Sequence, residues 1–218
     1  MGRSETEGKA RAATFAAAAL CGLLATAAAG PVAARQEAVK DPKMAPQSQQ
    51  TMMQNMAQDA REIRKLQCED RERTYLTKMM DHHQSGIEMA RLALKRSQST
   101  ALKAEARQII REQTAEINRM RRHLASSHRV KVTAKPDPRM QPTMEKLERL
   151  SGAEFDRAFA QEMSVHHQGA IDMSYAVIEG GVPHRSVKTM ASRIVRGNRK
   201  SQKDLAQAVR VPPRTARL

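Results

Sequence analysis

Two stretches of the chain, Met79–Gln84 and Met163–Gln168, read Met-x-x-His-His-Gln. Thioether sulfur is a soft ligand, and with neutral imidazole it suits Cu(I) better than any hard cation. On a helix, Met79 stands three residues before His82 and four before His83, so either pair can grip one ion from one helix. His82 and His83 themselves diverge by about 100° and do not readily clamp the same ion. Met163 repeats both relations with His166 and His167, and Met89 and Met173 follow each pair about two turns on. The most economical site takes one His and one Met from each stretch. Zinc would more naturally use Cys or carboxylate beside His, and calcium or magnesium would need clustered oxygens that this face lacks. The candidate ligands are therefore His82, His83, Met79, Met89, His166, His167, Met163 and Met173, with a copper ion, Cu(I) before Cu(II), as the expected occupant. Binding by such histidines should weaken as pH falls through about 6.5, where a free imidazole takes up a proton.

The competing reading is core packing. His82 shares a helical stripe with Tyr75, Met79, Gly86 and Met89, and His83 with Leu76, Met80, Ile87 and Ala90, so both pairs lie within an apolar face. A lone histidine there is ordinarily satisfied by protein partners, and methionine ordinarily fills core gaps. What weighs against that reading is duplication. Tyr75–Met89 aligns without gaps onto Phe159–Met173, 84 residues later, with His-His-Gln on His-His-Gln. Gly86 falls on Ala170, small residues that leave room for close helix approach or a ligand.

Elements must hold these residues in place, and the patterning is helical throughout. Asp70–Arg96 carries apolar residues at helical spacing, and Ser99 is a fair N-cap for a second helix to about Leu124. Ser126–Pro142, with Pro136, Pro138 and Pro142, breaks the pattern. Ser151 and Glu154 have capping-box spacing at the head of a third helix, which Gly180-Gly181 should stop. A fourth runs to about Val209, with Pro183 near its start. Two matched hairpins predict an all-α four-helix bundle. The expected divisions are residues 1–34 as a signal peptide, 35–69 as a flexible leader with room for an extra helix, and 70–209 as the bundle. Within the bundle, 70–125 is the first repeat, 126–150 the linker and 151–209 the second repeat, with 210–218 a disordered tail.

The signal assignment rests on Arg3, Lys9 and Arg11 ahead of an Ala- and Leu-rich run, followed by small residues at Ala29 and Ala34. It predicts a periplasmic or secreted protein with no membrane insertion after cleavage. Cys68 is then the sole cysteine, most simply an inert buried one. The 218 residues carry a formal charge of +15, which attracts anionic envelope material or merely keeps the chain soluble. With no Trp, two Tyr and three Phe, there is no stacking platform for single-stranded nucleic acid, which is not an expected partner. A second copy of the chain is left open as one.

The doubled Met-x-x-His-His-Gln-x-(Gly/Ala)-Ile-x-Met resembles the domain of unknown function family numbered 305, over roughly Asp70 to Leu205. The resemblance implies a ferritin-like helical fold, an envelope location and, for some members, copper binding and copper tolerance. It also implies roles in the hairpin's second helix for Gln113, Glu116, Ile117 and Met120. The second copy departs there, with Asn198, Ser201, Gln202 and Leu205. The expected function is exported soft-metal binding for buffering or tolerance. The alternative is a basic, envelope-associated structural protein with no metal. No nucleophile–base pair is visible, and the Glu-x-x-His di-iron spacing is missing because Glu162 and His166 are four apart. No enzyme is expected.

Overall fold

A computed structural model describes residues 47–210. Residues 1–46, which hold the expected signal peptide and part of the expected leader, and residues 211–218 lie outside the described residues. Six helices follow in order: α1 (Gln47–Lys65), α2 (Cys68–Arg96), α3 (Thr100–Ser127), α4 (Gln141–Glu148), α5 (Gly152–Gly180) and α6 (Arg185–Ala208). The described residues contain no strand, and the all-α expectation holds. No helix among them is long and apolar enough to cross a membrane.

Helices α2 and α3 pair as one hairpin and α5 and α6 as the other; the two hairpins meet through α2 against α5 and α3 against α6. Partners across the α2–α5 contact run in opposite directions: Arg71 with Gly180, Tyr75 with Ser174, His82 with His166. Because α3 returns to the end where α2 began, the connection to α5 must travel the length of the bundle. It does so along α2, where Asp81 accepts from the Lys135 amide and Ser85 Oγ from the Asp137 amide, each at 2.8 Å. Two hairpins joined by one long crossover are the ferritin-like arrangement.

Local chemistry sets the boundaries. Ser99 Oγ accepts from the Leu102 amide and caps α3. Gly181, at φ 75°, ends α5 in a conformation glycine adopts without strain while its amide reaches Val177 O. Arg71 spreads its guanidinium over the carbonyls of Ile63, Arg64, Gly180 and Gly181. It thereby places a cation at the C-terminal ends of α1 and α5, where the helix dipoles favour one.

Two expectations need correcting, the Ser151–Glu154 capping box and the burial of Cys68, and two are filled in. Ser151 makes no side-chain cap; Gly152 at φ 55° turns the chain into α5, so the Ser151–Glu154 box does not close. Within the linker a short helix, α4, starts at the end of the Pro-rich stretch, with Pro142 in its first turn, where a missing N–H costs no hydrogen bond. The extra helix for which residues 35–69 left room is α1, which begins at Gln47 and packs along α5. Cys68 is exposed at the head of α2, not buried. It lies on the same unbroken helix as His82, about 21 Å away along the axis.

Candidate metal centre

The repeat offset of 84 residues, combined with the antiparallel pairing of His82 with its own repeat equivalent His166, puts the local two-fold between His82 and His166. All four imidazoles are buried in one layer at mid-bundle. His82 and His166 stack at the centre, with ring centroids 3.7 Å apart. Each flanking ring sits about 6 Å from its neighbour, 6.1 Å for His83 and 6.2 Å for His167. Gly86 makes this approach feasible. A Cβ there would lie 2.5 Å from Gln113 Oε1 and 2.9 Å from His166 Cε1.

Hydrogen bonding fixes which nitrogen carries the proton in three of the four rings. His166 Nε2 must donate to the carbonyl of His82 at 3.0 Å, since a carbonyl only accepts. His83 Nε2 donates to the Glu116 carboxylate at 2.8 Å. His167 Nε2 meets Ser201 Oγ at 2.9 Å. The Ser201 hydroxyl hydrogen is already committed to Glu105 at 2.5 Å, so His167 again donates. The three rings therefore share one tautomer, with a bare lone pair on Nδ1. Those three Nδ1 atoms have no protein partner, and neither ring nitrogen of His82 has one. A buried acceptor left unsatisfied costs about 1–3 kcal/mol. A ring whose outer N–H is held by carboxylate, carbonyl or hydroxyl, and whose other nitrogen is free, is the arrangement found in metal-ligating histidines.

Protonation does not fill the lone pairs of His82, His166 and His167. Burial pushes His82, His166 and His167 down from the ordinary 6.5, and neighbouring imidazoles push them further; His166 falls to about 3. For these three rings the ordinary value of 6.5, on which the expected loss of binding through that pH rested, is displaced downward.

The eight sequence candidates are all buried and fall into three groups along the bundle. The histidines form the middle layer. Met79 and Met173 belong to the apolar cluster toward the bundle end where α2 begins, and Met89 and Met163 to the cluster toward the opposite end. Antiparallel pairing explains this, since the methionine before one His pair lies near the methionine after the other.

The structure adds donors that patterning did not single out. A cavity of about 10 Å³, room for about one water-sized particle, is lined by His82, His166, Met52, Met56 and Met140. Its rim is Asp59, Asp137 and Arg139, with Arg139 bonded to Asp59 at 2.6 Å. Lone pairs lie in ring planes, so the edges of the His82–His166 stack, and not the space between the rings, are where these nitrogens could meet an ion, and both rings line this cavity. Met52 and Met56 come from α1, outside the duplicated region, and no repeat could have flagged them. On the opposite side a second cavity, about 20 Å³, is lined by His167, Gln113, Glu116, Asn198 and Ser201. Here the departures of the second copy acquire a reason. Where Glu116 receives the proton of His83, Ser201 receives that of His167 and relays to Glu105 from α3. Glu162 stays out of the layer and pairs with Lys146 of α4 at 2.6 Å.

Residues 57–195, from within α1 into α6, match the family described as "Domain of unknown function (DUF4142)". The chain belongs to this family. No curated protein matches the chain. Among solved structures, the chain is similar to CopM in its Cu(I)-bound form: 27% identity over 62% of this chain and 93% of that one, with a TM-score of 0.55. CopM has also been solved in Cu(II)-bound and Ag-bound forms. The resemblance to family 305 holds in the fold. A DUF305 fragment from Deinococcus radiodurans superimposes at TM-score 0.58, with 20% identity over 67% of this chain and 100% of the fragment. A putative secreted DUF305 protein from Streptomyces coelicolor does so at 0.54, with 23% identity over 61% of this chain and 86% of that one.

Proposed function

We propose that this DUF4142 protein binds copper, as Cu(I), in the mid-bundle histidine layer, and serves outside the cytoplasm as a buffer or carrier of that ion. The observation that carries the reading is the set of bare Nδ1 lone pairs on His83, His166 and His167, together with an unpartnered His82, in a layer with methionine clusters on both sides. Neutral imidazole and thioether form a low-charge, soft donor set that suits a monovalent soft ion. CopM, a structural relative, has been solved with copper and with silver, both soft in their monovalent state. The roles of Met79, Met89, Met163 and Met173 as ligands, and the absence of a catalytic step, are part of the same proposal. Export rests on the N-terminal sequence and on the secreted fold relative.

Competition titration of Cu(I) against a chromophoric chelator tests the reading. The paired substitution His82→Ala with His166→Ala should lower Cu(I) affinity by about 100-fold or more, while circular dichroism keeps its helical signature. Wild-type affinity in the double variant would mean the layer is core alone, which is what the metal-free structural reading requires.

A further inference from the structure

At the end of the bundle where α2 begins, α3 ends and α6 begins, Glu72, His123, His128 and His184 converge. Glu72 is fully buried, and its Oε1 receives His123 Nε2, His128 Nε2 and His184 Nδ1, each at 2.8 Å. Its other oxygen takes the His184 backbone amide at 3.1 Å. The three rings surround that oxygen edge-to-face, with centroids 4.9–5.7 Å apart. We propose that these four residues form a second metal site, for one divalent ion of the zinc type, distinct from the copper layer and independent of that reading.

Convergence is the first argument. Their four donor atoms lie within 4.8 Å of one another. Metal–ligand bonds of about 2.0–2.1 Å set the ligand atoms of a tetrahedral site roughly 3.3 Å apart. To admit an ion the imidazole nitrogens must draw together to that spacing from as much as 4.8 Å, while Oε1 parts from them by about half an ångström. A rotation of the Glu72 carboxylate supplies the movement of Oε1, with Oε2 anchored on the His184 amide. Three imidazoles aimed at one oxygen, and not shared between two, is how a set of ligands closes around a point.

Charge is the second argument. Burial alone would raise the Glu72 carboxyl, but hydrogen bonds from His128, His123 and His184 outweigh it and hold the group below its usual range. A buried carboxylate thus remains an anion, and a divalent cation answers it directly. On binding, each neutral ring moves its proton through solvent to its other nitrogen and offers the freed lone pair. A ring that is protonated beforehand releases one proton to water. No electron changes hands.

Donor type names the ion. Three nitrogens and one carboxylate oxygen, with no sulfur among them, make a borderline set that zinc takes tetrahedrally. Because the protein supplies all four ligands, the site is closed, a holding site and not a catalytic one. Access is provided by the His184 side chain, which is 40% exposed while Glu72 is at 0%. Occupancy would tie three helix ends drawn from both repeats.

The test uses the full mature chain, washed with chelator and titrated with Zn(II), with Co(II) as a visible-absorption probe of tetrahedral coordination. The wild type should bind one Zn(II) at this end with micromolar or tighter affinity. The half-exposed His184→Ala should weaken that binding at least tenfold and abolish the tetrahedral Co(II) bands, with Cu(I) affinity unchanged. Glu72→Gln, nearly isosteric, should act the same way, and melting curves report whether it folds. Failure of the wild type to bind Zn(II), or equal binding by wild type and His184→Ala, would overturn the proposal.

Discussion

The mid-bundle layer and the bundle end are both knots of histidine, yet their hydrogen bonding runs in opposite senses. In the layer, three rings donate outward, to Glu116, Ser201 and the His82 carbonyl, and leave their other lone pairs empty. At the end, three rings donate inward to a single carboxylate oxygen. The layer has methionine on both sides, and the end has a buried anion. The difference teaches that histidine count says little about which ion is held. What the second ring nitrogen touches, and what charge lies within reach, decides between a soft monovalent ion and a borderline divalent one.

The largest expected effect separates the two regions by one residue. Gly86→Val pushes a branched side chain into His166 and Gln113, where even a Cβ has no room. It should cost about 1–3 kcal/mol of stability by overpacking. Cu(I) affinity should drop about 100-fold, on the scale of losing the support of a ligand. Zn(II) affinity at the bundle end should not change. Parallel titrations of both ions check it, and a matched loss of both would show that the regions are not independent.

A smaller effect sharpens the contrast through pH. His82, His166 and His167 are held below 6.5 in the fold, with His166 at about 3, whereas the unfolded chain titrates them near 6.5. Below 6.5 the unfolded state binds more protons, so apo stability falls with pH until the folded values are passed. Each such imidazole contributes up to about 1.4 kcal/mol per pH unit in that window. Urea melts from pH 7 to pH 4 should therefore show a shallower decline for His166→Leu than for wild type. Cu(I) affinity, set by the folded values, should stay nearly flat from pH 7 to about pH 5.5. A tenfold weakening centred on pH 6.5 would mean the rings are hydrated.

What could be read in the sequence was what repeats or punctuates. The ungapped match of Tyr75–Met89 with Phe159–Met173 yielded the hairpin pair, and with it the central layer. Ser99 and Gly181 marked helix ends because their roles are local. The docking of α1 was not legible, because it depends on a tertiary fit. Gly169 has no Cβ, and Met56 packs into the space where one would stand. The bundle-end cluster was hidden for the same reason. Glu72, His123, His128 and His184 share no motif or period, and only the ends of three helices bring them together. The pairing of His83 with Glu116 had a cue in the family resemblance, whereas Ser201 and Glu105 beside His167 had none.

The smallest expected effect asks which methionines supply sulfur. Met79, Met89, Met163 and Met173 are fully buried in the two apolar clusters, and Met52, Met56 and Met140 line the cavity beside the His82–His166 stack. Replacement by leucine conserves volume and removes the thioether, so stability should change by less than about 1.5 kcal/mol in either set. If sulfur in the cavity completes the copper site, Met52→Leu with Met56→Leu should weaken Cu(I) by about tenfold, the loss of one ligand among several. If the motif methionines are the ligands, Met79→Leu with Met163→Leu should do so instead. The same titration read against both double variants separates the two assignments. Zn(II) at the bundle end, which has no sulfur donor, should be indifferent to either. Wild-type Cu(I) affinity in both pairs would remove sulfur from the site and leave an all-imidazole centre, and the contrast between a soft layer and a borderline end would then rest on the buried carboxylate of Glu72 alone.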